Sequence, residues 1–270
     1  MQRMDWNVLL AAILVVGFAA TASAEVQTKE IQYTHDGQNL KGFLAWDDSI
    51  SGNRPGVLIV HEWWGLNDYV KGRTRQLAKE GYVAFALDMY GEGKVTEHPV
   101  QASEWSGTVR SNTQKWQSRA SAGLDVLRQQ PGVDPEKLAA IGYCFGGSTV
   151  LHLAYADAPV KGVASFHGAL VPPPVDTKVN AKVAIFHGAA DSFVPPATVE
   201  AFGYGMEQVK GHYTITIYGG ARHGFTNPDA GSYGVDALAY DADADAASWQ
   251  GLQLFFEQIF GSPKSKDAAR

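Results

Sequence analysis

Residues 137–155 read KLAAIGYCFGGSTVLHLAY. An apolar run of strand type (137–142) passes through Gly142-Tyr143-Cys144-Phe145-Gly146-Gly147 into an apolar run of helical length (147–155). A G-x-nucleophile-x-G segment at such a junction is a sharp strand-to-helix turn, here with cysteine as the candidate nucleophile. The spacing has a mechanical cause. The turn strains the backbone at residue 144, and side chains two residues to either side would collide, so Gly142 and Gly146 are required. Cys144 then sits where the next helix begins, and the backbone N–H of Phe145 can point at a developing oxyanion. Cys144 is the chain's one cysteine. A lone cysteine is otherwise commonly a small buried hydrophobe.

Working outward, strand and helix patterns alternate. Toward the N-terminus, the Asp36-Gly37 turn signal between residues 30–33 and 40–46 suggests a hairpin. The continuous apolar run in GVLIVHE (56–62) suits a strand buried on both faces. A helix over 67–79, a strand over 83–87 and a helix over 113–129 follow. Beyond the elbow come strands over 160–166 and 183–187, a helix over 195–209, a strand over 213–218 and a closing helix over 243–260. This alternation predicts one α/β domain over 25–261, a mostly parallel central sheet with helices on both faces. The polar stretch 91–112 (GEGKVTEHPVQASEWSGTVRSN) reads as a cap over the site.

Two further residues fall at predicted strand ends. Asp191 lies in FHGAAD (186–191) and His223 in GGARHGF (219–225). The order nucleophile, acid, histidine, each at the C-terminal end of a strand, is that of the α/β-hydrolase fold. His223 would exchange a proton with Cys144, while Asp191 fixes the imidazole tautomer and stabilises the imidazolium. Taken singly, Asp191 also reads as a helix cap, and His223 as a loop histidine packed on Phe225.

The whole chain has 270 residues, 22 Lys+Arg against 28 Asp+Glu and a net charge of −6. No basic cluster of useful length offsets that balance, which argues against a nucleic-acid partner. Residues 8–20 (VLLAAILVVGFAA) are apolar but would rise only about 20 Å as a helix, short of a hydrocarbon core of about 30 Å. Ala22-Ser23-Ala24 supplies a small-x-small cleavage pattern, so 1–24 reads as a signal peptide. The expected location is periplasmic or secreted, with no stable membrane insertion after cleavage, and the tail 262–270 reads as flexible. A single thiol forms no internal disulfide. Asp241, Asp243 and Asp245 lack the glycine and glutamate of a calcium loop and read instead as acidic residues at a helix start. No metal and no cofactor is expected.

The sequence resembles the dienelactone hydrolase (carboxymethylenebutenolidase) family over almost its whole length after residue 24. The resemblance rests on VLIVHEWWGLND (57–68), FALDMYG (85–91), IGYCFGG (141–147), FHGAADSFVP (186–195), GARHGF (220–225) and AASWQGLQLFF (246–256). It implies a Cys-Asp-His triad acting on cyclic or activated esters, mapped onto Cys144, Asp191 and His223. It also implies that Glu62 contacts the resting thiol and releases it when substrate arrives, with the Trp63 backbone N–H as second oxyanion donor beside Phe145. An alternative for Glu62 is a buried carboxylate paired with Arg73.

The sequence departs from the family where two arginines hold the substrate carboxylate: Glu92 and Asn227 stand in those places. Arg222 or Arg73 are the candidates to replace them. Trp63, Trp64, Tyr90, Phe145, Phe193 and Phe225 suggest an apolar, aromatic mouth. The reading is an exported, cofactor-free, monomeric hydrolase of small-molecule esters or lactones that works through a thioester. A non-catalytic binding module and an acyltransferase on the same fold are the alternatives.

Overall fold

Asp36 and Gly37, both at positive φ (51° and 72°), close the first hairpin between β1 (Val26–His35) and β2 (Gln38–Asp47). Asp and Gly tolerate this region, which two-residue hairpin turns require. The computed structural model describes residues 26–261. The expected signal peptide and flexible tail lie outside the described residues.

The chain continues through β3 (Arg54–Val60), α1 (Asp68–Lys79), β4 (Val83–Leu87), α2 (Pro99–Arg110), α3 (Thr113–Arg128), β5 (Val133–Tyr143) and α4 (Phe145–Tyr155). It ends with β6 (Gly162–Phe166), β7 (Lys182–Gly188), α5 (Pro196–Gln208), β8 (Tyr213–Tyr218) and α6 (Ala242–Phe260). All eight strands form one sheet in the order β1-β2-β4-β3-β5-β6-β7-β8. β2 pairs antiparallel with β1 and β4, and every pair from β4 onward across the sheet is parallel.

Strands β3 to β7 are apolar on both faces because helices cover both. Leu58 and Val60 of β3 face the layer built by α3, α4 and α5, with Trp116, Leu124, Leu151 and Phe202. Val57 and Ile59 face the layer of α1 and α6, with Val70, Leu77, Trp249 and Leu252. Asp241 caps α6 by accepting from the Ala244 amide at 3.0 Å, and Asp245 pairs with Arg73 of α1. The acidic triplet is therefore a helix start and an inter-helix tie. Among the described residues no helix is long and apolar enough to cross a membrane.

Two differences from the sequence reading bear on the site. The stretch 91–112 contains α2, which begins with Pro99 in its first turn and buries only Ala102 and Ser106. So narrow an apolar stripe gives little periodic signal. Helix α4 starts at Phe145, two residues before the expected start, because Cys144 itself is the N-cap.

Candidate active site

Cys144 has φ 53° and ψ −113°, the strained conformation the elbow demands. A Cβ built on Gly142 would overlap the Gly146 carbonyl, and one on Gly146 would overlap the Val60 carbonyl. The two glycines thus let β5 turn sharply into α4 and let α4 press against the end of β3. That second approach sets the loop after β3, with Glu62 and Trp63, beside the start of α4.

The loop is held by His61. Its Nε2 accepts the Met89 amide at 3.1 Å, so Nδ1 carries the proton and donates to the Glu62 carbonyl at 2.5 Å. Burial lowers the His61 pKa and keeps this neutral form. Asp88, at the end of β4, accepts from the amides of Tyr90, Gly91 and Gly93 and fixes the neighbouring loop. Phe145 is the first residue of α4, where an amide has no intrahelical acceptor. Among the described residues the Trp63 amide also has no protein acceptor.

Asp191 follows β7 and His223 follows β8. Nδ1 of His223 lies 2.8 Å from Asp191 Oδ2, and both side chains are almost fully buried. The other carboxylate oxygen of Asp191 accepts from the Phe193 amide at 2.9 Å and the Val194 amide at 3.3 Å, so the acid cannot swing away. Burial opposes the imidazolium of His223, but the neighbouring Cys144 and the bond to Asp191 outweigh it and push the pKa up to about 10. Cys144 and His223 line one cavity of about 240 Å³ with Trp63, Phe145, Ser148, Ala169, Phe193, Val194, Leu238 and Arg110. Phe193 is 52% exposed and stands edge-on to the His223 ring at 5.0 Å.

Several expected positions are corrected. Trp64 is buried and stacks on Tyr233 at 4.0 Å. Phe225 is fully buried in the α1/α6 layer. Arg222 turns away and donates to the Asp236 carbonyl at 2.7 Å. Tyr90 is buried, donates to the Trp63 carbonyl at 3.0 Å and lines a neighbouring cavity. Aromatics at strand ends pack inward whenever a loop closes over them, and sequence does not distinguish the two cases.

Glu62 is held by Asn227. Its Oε2 accepts from Asn227 Nδ2 at 2.6 Å, and among the described residues no hydrogen bond joins it to Cys144. Burial pushes its pKa up to about 7, while the Asn227 bond and the charges of His223 and Arg73 pull the other way. Arg73 is not its ion-pair partner. It bonds Asp245, the Thr226 carbonyl and Gln76, and so is not free for substrate.

Two residues carried no readable signal. Arg110, the last residue of α2, is the one arginine or lysine among the described residues that lines the Cys144 cavity, and its guanidinium donates to Ser106 Oγ at 3.0 Å. His167, just after β6, touches the elbow itself. Among the described residues no group of three or more His, Cys, Asp or Glu is arranged to hold a metal ion.

A mostly parallel eight-stranded sheet with an elbow after β5, an acid after β7 and a histidine after β8 defines an α/β-hydrolase. The profile of the Dienelactone hydrolase family matches residues 40–260, and the chain belongs to that family. It is similar to the dienelactone hydrolase-like promiscuous phosphotriesterase P91 from metagenomic libraries. That structure is 38% identical, with a TM-score of 0.85, over 88% of this chain and 100% of P91. A structure named m3DLH is 34% identical over 87% of this chain and 99% of its own, with a TM-score of 0.84. Protein usf of Aquifex pyrophilus is 28% identical over 205 residues, 73% of this chain and 86% of its own.

Proposed function

We propose that this hydrolase cleaves carboxylic esters or lactones with Cys144 as nucleophile. The observation that carries the reading is the 2.8 Å bond between His223 and Asp191, made where His223 and Cys144 share a cavity. His223 takes the proton of Cys144, and Asp191 holds the imidazolium that results. The sulfur attacks the substrate carbonyl carbon. The oxyanion lies between the amides of Trp63 and Phe145, where one donor is worth ~3 kcal/mol of transition-state stabilisation. The C–O bond breaks, His223 gives its proton to the leaving oxygen, and a thioester remains. Water then loses a proton to His223 and attacks the thioester, which frees the acid and restores the thiolate.

The cavity is small and mostly apolar, which suits a compact substrate, and the chemistry needs no cofactor. In this reading the protein is a monomer, exported to the periplasm or beyond by residues 1–24. A burst assay with a p-nitrophenyl ester tests the mechanism: wild type should release a stoichiometric burst, and Cys144→Ala should show none. An unchanged rate in that variant would discard the reading.

A second reading follows from the likeness to P91. A thiolate and two oxyanion donors also suit attack at a phosphotriester phosphorus, with a phosphorylated sulfur in place of the thioester. The same assay with a p-nitrophenyl phosphotriester separates the two activities.

A further inference from the structure

Two strained non-glycine residues meet at adjacent strand ends. Cys144 closes β5 at φ 53°, and His167 follows β6 at φ 40°. A side chain held in this region persists only when its surroundings over-determine it, and such positions cluster at functional sites. Here the two strained residues are bonded to each other. The Cys144 amide donates to the Phe166 carbonyl at 3.0 Å and to His167 Nδ1 at 3.2 Å.

The far side of the ring fixes its tautomer. His167 Nε2 lies 2.7 Å from Thr226 Oγ1, which in turn lies 2.6 Å from the hydroxyl of Tyr69 on α1. With Nδ1 accepting from an amide, Nε2 carries the proton and donates to Thr226. The Thr226 backbone carbonyl is gripped by Arg73 at 2.7 Å. An unbroken chain of polar contacts therefore runs from α1 to the amide of the nucleophile. The His167 ring is 1% exposed and stands edge-on to His223 at 5.2 Å.

We propose that His167 is a positioning residue for the proposed hydrolysis: as a neutral acceptor it locks the Cys144 backbone in the strained state that aims the sulfur at the cavity. Without His167 the Cys144 amide keeps the Phe166 carbonyl alone, and the residue can relax toward α-helical geometry, which would swing Sγ and the Phe145 amide together. Neutrality matters twice, because a protonated Nδ1 could not accept and would add a second cation beside His223. Burial, reinforced by the charges of His223, Arg73 and His187, outweighs a bond to the residue's own backbone and holds the His167 pKa well below its ordinary value. The other groups against the ring, Thr226, Phe225 and Tyr143, are uncharged.

The inference rests on Cys144 being the nucleophile, and its test separates the two. His167→Gly keeps the backbone freedom but removes the acceptor; His167→Asn tolerates positive φ and restores an oxygen acceptor. The glycine variant should lose about tenfold in kcat with KM within about twofold, the equivalent of ~1.4 kcal/mol in the barrier. Its rate of Cys144 alkylation by iodoacetamide should fall in parallel. The asparagine variant should recover most of both. Wild-type kcat in His167→Gly, or no recovery in His167→Asn, would overturn the proposal while Cys144→Ala remained inactive. Nitrogen-15 NMR of the wild-type imidazoles, independent of any variant's folding, should show His167 protonated at Nε2 alone between pH 6 and 9. An Nδ1–H form would equally overturn it.

Discussion

Asn227 holds Glu62 from a fixed orientation: its Nδ2 donates to Glu62 Oε2 at 2.6 Å while its own Oδ1 accepts the Asp229 amide at 2.9 Å. The amide cannot flip without losing both bonds. A neutral donor thus stands where the family resemblance leads one to expect an arginine, and the buried carboxyl titrates near pH 7.

That relationship gives a stability prediction. Glu62 binds its proton more tightly in the folded chain, with a pKa of about 7, than in the unfolded chain at the ordinary 4.5. Stability therefore falls as pH rises from about 4.5 through 7, by up to ~3 kcal/mol. Glu62→Gln keeps an acceptor for Asn227 and cannot ionise. Thermal melts should show it more stable than wild type at pH 8 and about equal at pH 4.5. A variant less stable at pH 8 would mean that the ionised carboxylate is favoured by partners beyond Asn227.

The second prediction concerns His223. Cys144 is the strongest influence raising its pKa against burial, so Cys144→Ala should bring that value down from about 10 toward the ordinary 6.5. The sign for stability follows. A histidine raised in the folded state contributes stability that is complete below about 6.5 and lost as pH rises through about 10. In Cys144→Ala the loss should come earlier in pH. An NMR titration of the His223 ring checks the shift, and an unmoved value would deny the charge pair.

Phe193 supplies a third. Half exposed and edge-on to His223, it packs on the substrate side of the cavity and supports no core. Phe193→Ala should raise KM about five- to tenfold through loss of an aromatic contact of ~1 kcal/mol. It should change kcat little and stability by no more than ~0.5 kcal/mol. Steady-state kinetics alongside a denaturant melt would separate these effects.

The elbow supplies a fourth. Gly146→Ala drives a methyl group into the Val60 backbone carbonyl, which has no rotamer to yield. A loss of ~3 kcal/mol or more is expected, by denaturant titration. Gly219→Ala, at a site with nothing within 4 Å of the added carbon, is the control and should stay within ~0.5 kcal/mol.

The elbow was legible because its signal is local. Gly142, Cys144 and Gly146 sit within one turn, and the steric rule that demands small residues on either side of the nucleophile acts over those few positions. The strand and helix order was legible for a similar reason, since apolar periodicity is written along each segment. Asp191 and His223 could be nominated from their places just after strands, which the parallel sheet gathers at one edge.

The chain alone therefore determined the sheet class, the turn and the order of the candidate triad. Only the tertiary structure decided that Arg110 faces the cavity while Arg222 and Arg73 do not, that Trp64 and Phe225 are core, and that Asn227 holds Glu62. It also brought His167 to the Cys144 amide across 23 residues of sequence. Such contacts depend on how separate loops close over a shared edge. No periodicity encodes them, because the direction of one side chain is set by neighbours that are remote in sequence.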